Sequence, residues 1–153
     1  MKRIALVTGS NRGIGFEVCR QLGRSGLHVV LTARDETKGN EAASQLKSEG
    51  FSVSFLALEV TDENSVETAA NKFESDFGTL DILINNAGGN FDYGVTPIKS
   101  QLSFARETLE LNLMSAWLVT QKFLPLLMKG KSGRIVNVSS GAGSHGEDRK
   151  SVV

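Results

Sequence analysis

The chain has 153 residues, 40% of them hydrophobic and 22% charged, which suits one globular domain with a sizeable core. Lysine plus arginine equals aspartate plus glutamate at 17 each, an even balance that argues against a basic nucleic-acid groove and against a membrane-surface patch. No apolar run approaches the roughly 18 residues of a spanning helix, the short run after Lys2 and Arg3 makes a poor signal peptide, and the single cysteine, Cys19, excludes an internal disulfide and fits a reducing, cytoplasmic compartment.

In chain order, apolar strand-like runs alternate with amphipathic helical ones. Residues 3–8, RIALVT, predict a buried strand. Over 13–25, Ile14, Val18 and Leu22 recur at helical spacing, and Cys19 beside that stripe is expected to be a small buried side chain. Residues 28–33 predict a second strand, opened by His28 at the surface. A helix follows over 38–49 with Ala42, Ala43 and Leu46 inward, then a third strand over 52–58. Over 63–77, Val66, Ala69, Ala70, Phe73 and Phe77 share one helical face, and Asp62 and Glu63 suit that helix's positive end.

Residues 80–85 predict a fourth strand, and a loop with glycine and proline spans about 88–100. The spacing of Leu109, Leu113, Trp117, Thr120, Leu124 and Leu127 predicts one long helix over 103–128, with Pro125 expected to kink or stop it. Residues 134–139 predict a fifth strand, and the polar stretch 141–153 reads as loop or tail. Strands that are apolar throughout and separated by helices imply a parallel sheet covered on both faces. The expected fold is therefore α/β and doubly wound.

The stretch VTGSNRGIG carries the first chemistry. Gly9, Ser10, Asn11, Arg12, Gly13, Ile14 and Gly15 fall where the first strand turns into the first helix. Such a turn brings backbone N–H groups and a helix N-terminus up to a pyrophosphate. Its spacing, G-x-x-x-G-x-G, differs from the common dinucleotide fingerprint. An acid at the end of the second strand would repel a ribose 2′-phosphate. Here stand Ala33 and Arg34, and Arg12 adds a second cation on the same side. The cofactor expected is NADP(H), with NADPH preferred over NADH roughly 10- to 100-fold. No metal is expected.

Four stretches in order, TGSNRGIG, NNAG at 85–88, LNLMSAW and GRIVNVSS, resemble the short-chain dehydrogenase/reductase family over essentially all 153 residues. LTARDETKG at 31–39 looks like its carbonyl-reductase-like members. The resemblance implies the sheet order 3-2-1-4-5, with Gly9, Asn86, Ala87, Gly88 and Ser140 at the carboxyl ends of adjacent strands. It implies that Asn85 and the turn after it support the fourth strand and the nicotinamide-side ribose region. It gives Ser140 the role of the catalytic serine and Asn112 that of holding a water in a proton relay. Glu59, followed by Val60, stands where the family commonly has an adenine-contacting aspartate.

The family reduces carbonyl groups of small molecules with a tyrosine as proton donor and a lysine four residues later. No Tyr-x-x-x-Lys occurs in the 153 residues. Tyr93 is the single tyrosine, and Lys99 follows it by six residues across Pro97. Ser140 and His145 invite a hydrolase reading, but no G-x-S-x-G elbow surrounds the serine. The sequence therefore looks like the amino-terminal part of a longer reductase, acting on a small-molecule carbonyl or alcohol. The rival readings are a non-catalytic NADP(H)-binding or interaction module and an inactive truncation. Neither nucleic acid nor membrane is expected as a partner, and a homo-oligomer is left open. The fifth strand is expected to be an exposed edge.

Overall fold

The computed structural model describes residues 2–96, 98–130 and 132–141. In chain order these form β1 (Ile4–Val7), α1 (Gly13–Arg24), β2 (His28–Ala33), α2 (Glu36–Ser48), β3 (Val53–Ala57), α3 (Glu63–Phe77) and β4 (Ile82–Asn85). Next come α4 (Leu102–Leu109), a π-helical turn (Glu110–Met114), α5 (Ser115–Lys129) and β5 (Arg134–Asn137). All pairings are parallel, in the order β3-β2-β1-β4-β5. The stretch 142–153, with His145, lies outside the described residues.

Register explains how one sheet serves two cores. Leu6 pairs with Val30 and Leu83, and this row packs against α3 and α5 through Val66, Phe73, Val119 and Phe123. Val7 pairs with Leu31 and Ile84, and this row meets Cys19, Ala42, Ala43 and Leu46 of α1 and α2. Because strand side chains alternate in direction, neighbours along β1 must enter opposite layers, so only an apolar run of this kind fits. Each fully buried leucine or phenylalanine contributes about 1.5–3 kcal/mol. Cys19 is fully buried, and burial pushes its thiol up to about 12, so it behaves as a small apolar side chain.

Helix starts follow their caps. Asp35 accepts from Lys38 N, so α2 begins at Glu36, two residues before the spacing of its alanines predicts. Asp62 accepts from Asn64 N and Ser65 N and opens α3. Such a cap contributes about 1 kcal/mol.

The long helix departs from expectation. The π-helical turn inserts a wider loop of backbone and rotates all that follows. Ser115, Val119, Phe123, Leu126 and Leu127 therefore face inward and Trp117 and Leu124 of the expected stripe are exposed, as are Leu109 before the turn and Leu113 within it. Pro125 does not stop the helix, which runs to Lys129. Leu80 N donates to Leu126 O at 3.1 Å, and buried Leu126 and Leu127 hold that last turn to the core. All four residues of β5 are exposed along the sheet's edge. Among the described residues no helix is long and apolar enough to cross a membrane.

His28 is not the surface residue expected. It is half-buried, with Nδ1 2.8 Å from Ser52 Oγ, Nε2 3.0 Å from Ser54 Oγ and its ring 5.2 Å from that of Phe77. Burial, aided by Lys2 and Lys47, holds its pKa below the ordinary 6.5. The unfolded chain then binds the proton more readily. The stabilisation is full above the ordinary value and is lost as pH falls through the lowered one. Thermal melts between about pH 7 and pH 5 should show a falling midpoint, and His28→Gln should make that fall shallower. Identical slopes in the two proteins would contradict the assignment.

Candidate functional site

The carboxyl ends of β1 and β4 form the point where the chain, having built outward to β3, crosses back to the other side of β1. A crevice opens there in doubly wound sheets. Here it is a cleft of about 490 Å³ lined by Gly9, Asn11, Arg12, Gly13, Ile14, Gly15, Ala33, Arg34, Leu58, Glu59, Val60, Asn86, Ala87 and Gly88, with Gly89, Asn90, Phe91 and Leu111 completing the wall. Of the thirteen residues expected at the cofactor, twelve line this cleft.

The exception is Ser10. It is fully buried beneath the turn, its Oγ donating to Val7 O at 2.7 Å and accepting from Thr32 N at 3.0 Å. Its hydroxyl ties the turn to β2 and does not reach the cleft. Ile14, at helical spacing with Val18 and Leu22 and also expected at the cofactor, is 69% exposed at the cleft wall, and Gly15 and Cys19 take the buried positions of α1.

Two glycines show why the turn tolerates nothing larger. Gly9 has φ 58°, and a Cβ there would sit 2.9 Å from Ala87 Cα. A Cβ on Gly15 would run into Asn86 Nδ2 and lie 2.9 Å from Gly9 O. Asn86 braces this packing: its Nδ2 donates to Thr8 O at 2.9 Å and Gly9 O at 3.0 Å. Thr8 Oγ1 accepts from both Asn86 N and Ala87 N at 2.9 Å. The ends of β1 and β4 are thus stitched together at the cleft floor.

The electrostatics suit an anion. Unlike α2 and α3, α1 has no side-chain cap and no acid in its first turn, so its N-terminal amides face the cleft uncompensated. Arg12 and Arg34 stand on one side. Beyond them a groove of about 600 Å³, lined also by Asp35 and Glu41, adds Lys38, which the motifs did not single out. The signal was available: Lys38 lies four residues past Arg34, in the first turn of α2 that the Asp35 cap opens. Lys38 Nζ lies 3.5 Å from Asp35 Oδ2. Beside Arg34, Glu59 Oε1 accepts from Thr61 Oγ1 at 2.9 Å and Thr61 N at 3.3 Å, while Oε2 lies 3.9 Å from Arg34 Nη1.

On the other side of the cleft, Asn85 is buried and donates to Thr120 Oγ1 at 3.0 Å and Asn137 Oδ1 at 2.8 Å, linking β4, α5 and β5. Asn112 sits in the π-helical turn. Its Oδ1 accepts from Gly89 N at 3.0 Å, and its Nδ2 donates to Gly89 O at 2.6 Å and Thr108 O at 2.7 Å. The amide thereby clasps the loop after β4. Asn85 pairs in register with Asn137, so Ser140 and Gly88 each stand three residues beyond a matched pair, at the same sheet edge. Ser140 is exposed and is not among the residues lining the cleft. Tyr93 is 92% exposed on the loop after β4, also outside the lining. Phe91 and Leu111, which the motifs did not single out, supply apolar wall. Among the described residues no three His, Cys, Asp or Glu side chains gather to hold a metal ion.

The family described as short chain dehydrogenase matches residues 3–152. The chain is 39% identical to salutaridine reductase of Papaver somniferum over 94% of its own length and 56% of that protein. It is 43% identical to the NADPH carbonyl reductase 1 of Bos taurus over 90% of its own length and 48% of that protein. Among solved structures, an actinorhodin polyketide ketoreductase variant with NADPH superposes with a TM-score of 0.87 at 30% identity, covering 95% of this chain and 56% of that one. The chain thus spans about half the length of the curated relatives it matches. The match over 3–152, the sheet order β3-β2-β1-β4-β5 and the glycine cleft at its switch point agree: this chain belongs to the short-chain dehydrogenase family of oxidoreductases.

Proposed function

We propose that the chain is the NADP(H)-binding portion of an oxidoreductase that reduces carbonyl groups of small molecules. The observation that carries this reading is the cleft that gathers the glycine turn with Arg12, the uncapped start of α1, and Arg34 just past the end of β2. The residues present fit such a cofactor. Gly9 and Gly15 let the turn close tightly against Ala87 and Asn86 at the cleft floor, the α1 amides and Arg12 suit the pyrophosphate, and Arg34 with Lys38 suits a 2′-phosphate as charge-assisted partners. Buried Ala33, Leu58 and Val60 offer an apolar seat for the adenine. When bound, the cofactor supplies the reducing equivalent.

The chain's own residues position and polarise. Asn86 and Thr8 fix the turn under the nicotinamide half, Asn112 holds Gly89 in the wall, and Ser140 at the end of β5 donates to the carbonyl oxygen as negative charge develops there. NADPH in the polyketide ketoreductase structure and in the name of the Bos taurus relative supports the cofactor assignment. A second reading, a non-catalytic NADP(H)-binding module, is favoured by one observation: the single tyrosine has Pro97, not lysine, four residues on.

The test is Ser140→Ala in a protein that joins this sequence to the rest of a reductase fold. Turnover should fall on the order of 100-fold with NADPH affinity nearly intact, because one preorganised donor to the oxyanion is lost. Unchanged turnover on every accepted carbonyl would make Ser140 structural.

A further inference from the structure

The cleft holds an acid where a 2′-phosphate reader would be better served by none. Arg34 is the first residue past β2 and Glu59 the second past β3, adjacent strands in register from Val29↔Val53 to Ala33↔Ala57, and both side chains line one rim of the cleft. The carboxylate is not free to swing away. Its Oε1 accepts from both the hydroxyl and the backbone N–H of Thr61, which turns Oε2 toward Arg34 Nη1 at 3.9 Å. Arg34 is otherwise the most exposed partner in that pair, its side chain 81% accessible against 34% for Glu59.

Resting on the NADP(H) reading of this cleft, we propose that Glu59 is a specificity-determining residue that competes with the 2′-phosphate for Arg34 and so limits the preference for NADPH over NADH. An anchored anion beside the guanidinium offers it a partner that must be given up when phosphate arrives. A free 2′-hydroxyl makes no such demand, so the competition falls on NADPH alone. The geometry also defines a clean variant. In Glu59→Gln the amide oxygen keeps both Thr61 contacts, and only the charge facing Arg34 is removed.

The experiment titrates NADPH, NADH, adenosine 2′,5′-bisphosphate and 5′-AMP into the unmodified chain, Glu59→Gln, Arg34→Met and the double variant. Circular dichroism confirms that each is folded. Glu59→Gln should tighten NADPH and the bisphosphate on the order of threefold at low ionic strength, the size of an exposed charge pair. NADH and 5′-AMP should be unmoved. The gain should vanish in about 1 M salt, where screening acts within roughly 3 Å, and should be absent when Arg34 is already methionine. Equal weakening of NADPH and NADH would show Glu59 serving the adenine instead. That result, no change, or a gain that persists without Arg34 each overturns the proposal. Failure of the unmodified chain to bind either dinucleotide overturns the reading of the cleft itself, and is seen before any variant is measured.

Discussion

The purified 153-residue polypeptide should reduce aldehydes, ketones and quinones at least about 100-fold more slowly than an intact family member, even where it binds NADPH. In this family a tyrosine, tuned by a lysine four residues later, donates the proton to the product oxygen. General acid catalysis of such a step is worth about 10²–10⁴-fold. Among the described residues the one tyrosine is no substitute: Tyr93 is 92% exposed and does not line the cleft. His145 lies outside the described residues. Ser140 at the sheet edge and the α1 amides can polarise and hold, but neither supplies that acid. The check is NADPH oxidation followed against a carbonyl panel, with a folded α/β spectrum established first. Turnover comparable to an intact reductase would show that another group moves the proton, and Tyr93→Phe and His145→Ala would then locate it.

Arg34→Asp should weaken NADPH binding about 10- to 100-fold and leave NADH unchanged or improved. A charge-assisted bond to phosphate is worth about 1.5–3 kcal/mol, which sets that range. The substitution does more than remove the bond. It places a second carboxylate beside Glu59, 3.9 Å from the present guanidinium, and so repels the 2′-phosphate directly. It also supplies an acceptor that a free ribose hydroxyl uses. Arg12 and Lys38 remain on the same side and keep the loss from being total. Calorimetric titration of both dinucleotides reads the ratio. A ratio unchanged by Arg34→Asp would place the 2′-phosphate elsewhere.

The parts legible in the sequence were those set by local pattern. The α3 boundaries matched at both ends because Asp62 caps the start, Gly78 in a left-handed conformation closes the end, and Val66, Ala69, Ala70 and Phe73 keep one period between them. The glycines of the first turn, Arg34, Glu59, Val60, Asn86, Ala87 and Gly88 converge on one cleft because strand order brings carboxyl ends together.

What stayed hidden depends on partners distant in the chain. The period from Leu109 to Leu124 cannot reveal a π-helical turn, since the inserted backbone shifts the face without altering composition, and Asn112, which clasps Gly89, lies in that turn. His28 reads as surface until Ser52 and Ser54 meet its two nitrogens across the β2–β3 pairing. Ser10 reads as a cofactor residue because it lies between residues that line the cleft, yet its hydroxyl is spent beneath the turn on Val7 and Thr32. The Arg34–Glu59 pair joins residues 25 positions apart that only register makes neighbours.

The central claim is that the cleft at the β1–β4 switch point is an NADP(H) site. Equilibrium titration of the purified, unmodified chain with NADPH and with NADH tests it most directly. The account predicts saturable one-to-one binding of NADPH, at least about tenfold tighter than NADH, with a rise in melting midpoint that tracks NADPH concentration. Equal affinities for the two dinucleotides, or no saturable binding by a chain shown to be folded, would contradict it.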